Sequence, residues 1–140
     1  MRRYIDTSVL VGFVVNEVHT ARIRDQMREM RRENVISDWT VTEFHAALAF
    51  KLRTNQITPA IKQQAEAFFQ SANAVLFTTI AVQRMDFRRA AVLGSRVELG
   101  LRAGDALHLA IAQDNDATLW TVDQRFRTAA EKSGTPVEPN

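Results

Sequence analysis

The sequence predicts an α/β sandwich built on a mainly parallel sheet. Three observations carry that prediction. Short β-branched or aromatic runs alternate with longer segments of helical periodicity. Cap and stop residues separate them, and two acids, Asp6 and Asp123, stand where apolar strands would end. In such sheets, ligands meet the crevice beyond the carboxyl ends of the strands, so both acids would emerge at the binding edge.

The elements follow in order. RYI before Asp6 reads as a first strand, and TSVLVGFVV after it begins a helix with Thr7 or Ser8 as cap. Between Glu17 and Arg32, the residues Val18, Ala21, Ile23, Met27 and Met30 form a sparse apolar stripe, the pattern of a surface helix. NVISD is a second strand. In WTVTEFHAALAFKLRT, Phe44, Ala47, Leu48 and Lys51 share one side of a helix, with Glu43 at the stripe's edge. Thr58-Pro59 starts another helix, expected to reach about Ser71 and to bury Ile61, Ala65, Phe68 and Phe69.

AVLFTTI reads as a third strand, and the next helix runs until Gly94 or Gly100 punctuates it. AGDALHLAIAQDND is helical with Asp105 in its first turn, ATLWTV is a fourth strand, and QRFRTAAEKSG is a helix closed by Gly134. TPVEP adds an edge strand or frays. No repeat or linker interrupts residues 1–140, so one domain is expected.

Composition narrows the chemistry. With 140 residues, 46% hydrophobic and 24% charged, the chain has the make-up of a globular domain. It has no cysteine, which excludes disulfides, thiolate zinc sites and thiol nucleophiles. A reducing, cytoplasmic setting is expected. The apolar run Val9–Val15 is far shorter than the roughly 20 residues a bilayer requires, and Asp6 interrupts any secretory leader, so neither a membrane span nor a leader is expected. Net charge is only +2, yet there are fifteen arginines against three lysines. Arginine forks suit phosphate, although genomic codon bias gives the same count.

Asp6, Glu43, Asp105 and Asp123 are the candidate catalytic and metal-ligating residues. Each has a plain alternative: Asp6 and Asp105 as helix caps, Glu43 as a boundary residue, Asp123 as part of a turn. Brought to one crevice, however, four carboxylates would raise one another's pKa, and a divalent cation resolves that conflict. Oxygen-only ligands suit Mg2+ or Mn2+, ions that serve phosphodiester hydrolysis by activating water. Thr7, Ser8 and Thr121 are the neighbouring hydroxyls that would orient the carboxylates.

YIDTSVLV, TVTEFHAAL, AGDALHLAIA and TLWTVDQRF, in this order, resemble the successive motifs of PIN-domain ribonucleases, specifically the VapC-like toxins. The likeness spans Asp6 to Phe126 and carries the acidic positions onto Asp6, Glu43, Asp105 and Asp123, with Thr121 and Phe126 completing a TxDxxF pattern. It implies a three-layer α/β/α sandwich, Mg2+ or Mn2+ dependence, endonucleolytic cleavage of structured RNA such as tRNA or rRNA, a homodimer, and a cognate antitoxin whose tail fills the active-site groove.

Arg84, Arg88, Arg89, Arg96 and Arg102 could carry an RNA backbone or line a solvated face, and Asp86 could merely offset them. His19, His45 and His108 lack zinc spacing and read as surface or boundary residues, His45 and His108 at the rim of the site. Trp39 and Trp120 read as packing residues, and Phe68, Phe69 and Leu76 as core or dimer contacts. The rival functions are a PIN-like module that binds RNA or a partner without cleaving, and an aspartate-based phosphotransfer or receiver domain. Ser8 stands where the phosphotransfer class needs a second acid.

Overall fold

The computed structural model describes residues 1–29 and 31–139; Met30, placed above in the surface helix, lies outside them. The chain runs through β1 (Arg2–Ile5), α1 (Thr7–Val14), α2 (Thr20–Met27), β2 (Glu33–Ser37), α3 (Asp38–Arg53), α4 (Pro59–Leu76) and β3 (Thr78–Ile80). It continues through α5 (Arg84–Ser95), a 3-10 turn at Val97–Leu99, α6 (Ala103–Asp114), β4 (Thr118–Trp120) and α7 (Gln124–Lys132). Among the described residues, no helix is long and apolar enough to cross a membrane.

All strand pairs are parallel, in the order β3-β2-β1-β4. The chain builds outward from β1 to β3, then returns to lay β4 on the other side of β1. That reversal makes the gap between β1 and β4 the switch point of the sheet.

Strand side chains alternate between the two faces and so divide the core in two. Tyr4, Val35 and Leu119 point one way and pack with Leu93, Leu107 and Phe126 of α5, α6 and α7. Ile5, Ile36 and Trp120 point the other way, onto Leu10, Ile23, Phe44, Leu48 and Phe69 of α1 to α4. The result is the expected three-layer α/β/α sandwich. Each fully buried Leu, Ile or Phe contributes about 1.5–3 kcal/mol, so both layers of helices are firmly held.

Several boundaries differ from expectation. The third strand is only Thr78–Ile80, because α4 continues to Leu76 and takes in the first half of AVLFTTI. The surface helix is shorter than expected, Thr20–Met27, and of the cap candidates Asp6, Thr7 and Ser8 it is Asp6 that caps α1. TPVEP forms a single parallel bridge, Val137 beside Leu119, with Glu138 N–H donating to Leu119 O at 2.8 Å. α7 is ended by Gly134, whose φ of +82° an L side chain would resist.

Candidate active site

β1, β2 and β4 are parallel, so their carboxyl ends share one edge, and the sequence-predicted acids emerge there. Asp6 follows β1 directly. Asp123 follows β4 and caps α7, its Oδ1 accepting from Arg125 N–H at 2.9 Å and Phe126 N–H at 3.0 Å. Glu43 rides on α3, which begins as soon as β2 ends because Ser37 and Thr40 form a capping box. Asp105 lies in the first turn of α6. It does not cap that helix, contrary to the bland reading; the N-cap position is Arg102, which frees the Asp105 carboxylate for other contacts.

Asp6 is almost wholly buried, 4% exposed. Its Oδ1 accepts from Ser8 Oγ at 2.6 Å and Val9 N–H at 3.2 Å, and the Thr121 hydroxyl bonds it as well. Burial pushes its pKa up from the ordinary carboxylate range, although His108 and these donors pull the other way. Ser8 and Thr121 are thus both in contact with Asp6. Thr7 serves a different acid, donating to Glu43 Oε1 at 2.9 Å.

Glu43 is also bonded by His108 Nε2. Burial alone would raise its pKa, but His108, Thr7 and the charge of Arg102 outweigh it and hold the carboxyl below the ordinary range. His108 is thus no surface or boundary residue. It is 2% exposed, with Nδ1 at 2.8 Å from Tyr4 Oη. The sequence signal was the run ALHLAIA, apolar all round and hence fully buried, in which a polar side chain must find partners. His19 and His45 are exposed, as expected.

The other two acids share a guanidinium. Arg102 places Nε 3.3 Å from Asp105 Oδ2 and Nη2 3.6 Å from Asp123 Oδ2. These two acids, with Glu43, raise the pKa of Arg102, Asp105 most of all. Burial nevertheless leaves Asp105 above the ordinary carboxylate range; the mostly exposed Arg102 compensates it only in part. The other arginines between β3 and Asp105 are placed differently: Arg89 pairs with Asp114 at 2.6 Å, Arg96 with Glu98 at 2.7 Å, and Arg88 lies by Met85, while Arg84 is exposed at the start of α5. Asp86 meets this cluster through Asp114, the partner of Arg89. Asp86 itself is buried and accepts from Gln83 N–H at 2.7 Å, capping α5.

The crevice adjoins an apolar groove of about 560 Å³ lined by Trp39, Phe87, Ala90, Leu101, Gly104 and Leu107. Trp39 is thus half-buried beside the site, while Trp120 is a core residue with the Arg3 guanidinium 4.2 Å over its ring. Phe69 is core; Phe68 and Leu76 stay partly exposed.

The donor set is entirely oxygen, the chemistry of a hard divalent cation such as Mg2+ or Mn2+. Burial raises the pKa of Asp6 and of Asp105, and Arg102 already lies against two of the four acids. Yet among the described residues no group of three or more His, Asp or Glu side chains stands ready to hold a metal. The acids are engaged separately: Asp6 by hydroxyls, Glu43 by His108 and Thr7, Asp105 and Asp123 by Arg102.

Comparison with known families is decisive for the fold and its ancestry. Residues 3–132 match the PIN domain. The chain belongs to the PIN domain family. That membership sets aside the phosphotransfer and receiver readings. A search of curated proteins finds no match. Among solved structures, this PIN domain is similar to VapBC2 from Rickettsia felis bound to a DNA fragment from their promoter, with TM-score 0.71, 15% identity, and coverage of 99% of this chain and 98% of the other. It is similar to Mycobacterium tuberculosis VapC20, a sarcin-ricin loop cleaving toxin, with TM-score 0.71, 15% identity, and coverage of 91% and 94%. A toxin-antitoxin complex from Klebsiella pneumoniae aligns with TM-score 0.61 and 20% identity over 85% and 84%. At such identities the likeness is one of fold.

Proposed function

We propose that the chain is a Mg2+- or Mn2+-dependent endoribonuclease, the toxin of a toxin-antitoxin pair. The observation that supports this most is the placement of Asp6 after β1 and Asp123 after β4, at the switch point of a PIN fold, with Glu43 of α3 and Asp105 of α6 beside that edge of the sheet. Asp6, Glu43, Asp105 and Asp123 would hold the cation. When bound, it would neutralise these acids and the phosphodiester and lower the pKa of water for attack on phosphorus.

The protein's own groups do the rest. Ser8 and Thr121 fix the orientation of Asp6, and Thr7 fixes that of Glu43. Arg102, 79% exposed at its side chain, can exchange Asp105 and Asp123 for a phosphate oxygen pair, the geometry its fork matches best. Arg84 and Arg88 would extend positive charge along α5 for the RNA backbone, joined by Arg89 where it leaves Asp114. The proteins of similar fold include toxin-antitoxin complexes, which supports an antitoxin partner here, with a homodimer in the cytoplasm as the working assembly.

A second reading is favoured by one observation. Arg102 already balances Asp105 and Asp123, as it would in a module that binds RNA or a protein and never loads a metal. Incubating the purified protein with total RNA and Mn2+, then with chelator, separates the two. Cleavage that chelation abolishes supports the nuclease; RNA that is retained but never cut supports the binding module.

A further inference from the structure

We propose that His108 is the positioning residue of Glu43: a buried ring, pinned from behind by Tyr4, that fixes one carboxylate oxygen and thereby holds the other beside Gly104, next to Asp105. The inference rests on the reading of Glu43 as a member of that site.

The contacts form a closed relay across three elements. Tyr4 comes from β1 and is completely buried. Its Oη lies 2.8 Å from Ser37 Oγ, 3.2 Å from Thr40 Oγ1 and 2.8 Å from His108 Nδ1. Ser37 and Thr40 are the capping box of α3, the helix that carries Glu43 one turn further on. From α6, His108 Nε2 then meets Glu43 Oε1, with Thr7 Oγ1 also 3.2 Å from that nitrogen. The start of α3 is thereby tied, through β1 and α6, to the acid that α3 presents.

Proton placement is consistent along the chain. The Glu43 carboxylate only accepts, so Nε2 carries the hydrogen directed at it. Burial keeps the Tyr4 hydroxyl protonated, able to donate to Nδ1 while accepting from Ser37 or Thr40. Were the ring to gain a second proton, the hydroxyl could turn, accept from Nδ1 and donate to Ser37. The hydrogen bonds persist in either state, so the device requires no titration.

The arrangement also divides the labour of the two Glu43 oxygens. Oε1 takes His108 and Thr7. Oε2 lies against Gly104, the residue before Asp105. A histidine that served the core alone would be satisfied by Tyr4 and its neighbours. Here its outer nitrogen faces a part-exposed acid at the crevice, and an unrestrained glutamate there would have three side-chain torsions to freeze.

The test compares full-length wild type with His108→Ala, His108→Gln and Tyr4→Phe by thermal melting, calorimetric titration of Mn2+ alone, and steady-state cleavage of a structured RNA. His108→Ala is expected to weaken Mn2+ binding and lower kcat by about 10–100-fold, with KM for RNA little changed because the ring does not reach solvent. His108→Gln, whose amide N–H can still reach Glu43, should recover most of the Mn2+ affinity. Wild-type Mn2+ binding and kcat in His108→Ala would overturn the proposal, as would a Gln variant no better than Ala. Should His108→Ala fail to fold, Tyr4→Phe decides on the same readouts: weakened Mn2+ binding upholds the proposal and wild-type behaviour overturns it. Wild-type protein that binds Mn2+ but cuts no RNA removes the nuclease reading while leaving this one to the Mn2+ affinities; wild-type protein that binds no Mn2+ overturns both.

Discussion

Gly104 lies directly against Glu43: a Cβ added at Gly104 would stand 3.1 Å from Glu43 Oε2 and 3.5 Å from the Trp39 ring. Gly104→Ala should therefore push the carboxylate aside. The same change removes a glycine from the first turn of α6, where alanine is favoured by up to about 1 kcal/mol. The expected variant melts within a few degrees of wild type yet cleaves RNA about tenfold more slowly. Single-turnover kinetics beside a thermal melt checks it, and unchanged kinetics would mean that the placement of Glu43 is immaterial.

Asp6 gives a stability prediction with a definite sign. Its pKa is raised by burial in the folded chain, so between the unfolded value, about 4, and the folded value the native state holds a proton that the unfolded state has lost. Stability then falls as pH rises through that window, and the full cost persists above it. In metal-free protein, Asp6→Asn should raise Tm at neutral pH, by about 4 °C for each kcal/mol relieved. The advantage should shrink on acidification and vanish below about pH 4. Saturating Mn2+ should restore the balance by stabilising wild type alone.

Asp123 combines a cap with a candidate ligand, and two substitutions part the roles. Asparagine can still accept from Arg125 and Phe126 N–H, whereas alanine loses the cap, worth about 1 kcal/mol. Asp123→Asn should keep its Tm and lose at least about a hundredfold in kcat, while Asp123→Ala loses both. An asparagine variant with wild-type turnover would leave Asp123 a cap and nothing more.

Arg102 occupies the position of a resident counter-ion. An exposed pair of this kind is worth up to about 1 kcal/mol, a factor of about five in binding. Arg102→Ala should therefore tighten Mn2+ binding by up to about fivefold and weaken RNA binding, with the slope of log affinity against log salt reduced by about one. Equilibrium titrations at several salt concentrations read both effects.

The acids at strand ends were legible in the sequence because a carboxylate after an apolar strand run has few other places to be. Helix starts were legible where the cap chemistry is local, as at Thr58-Pro59. The third strand was not: AVLFTTI carries no periodicity that separates a buried helix end from a strand, and packing of α4 decides in favour of the helix. Asp86 read as a surface charge because its role depends on Gln83 N–H, a backbone donor with no sequence signature. His108 was missed since its partners, Tyr4 and Glu43, are 104 and 65 residues away. Arg102 reads as one of five basic residues, and only the fold shows that it meets the acids.

Anomalous diffraction from crystals grown in Mn2+ tests most directly whether acids far apart in the chain join to hold a cation. The expected result is a Mn2+ peak coordinated by Asp6 and Asp105, with Glu43 and Asp123 bound to it directly or through water and Arg102 swung away. A crevice with no peak, Arg102 still lying between Asp105 and Asp123, would contradict it.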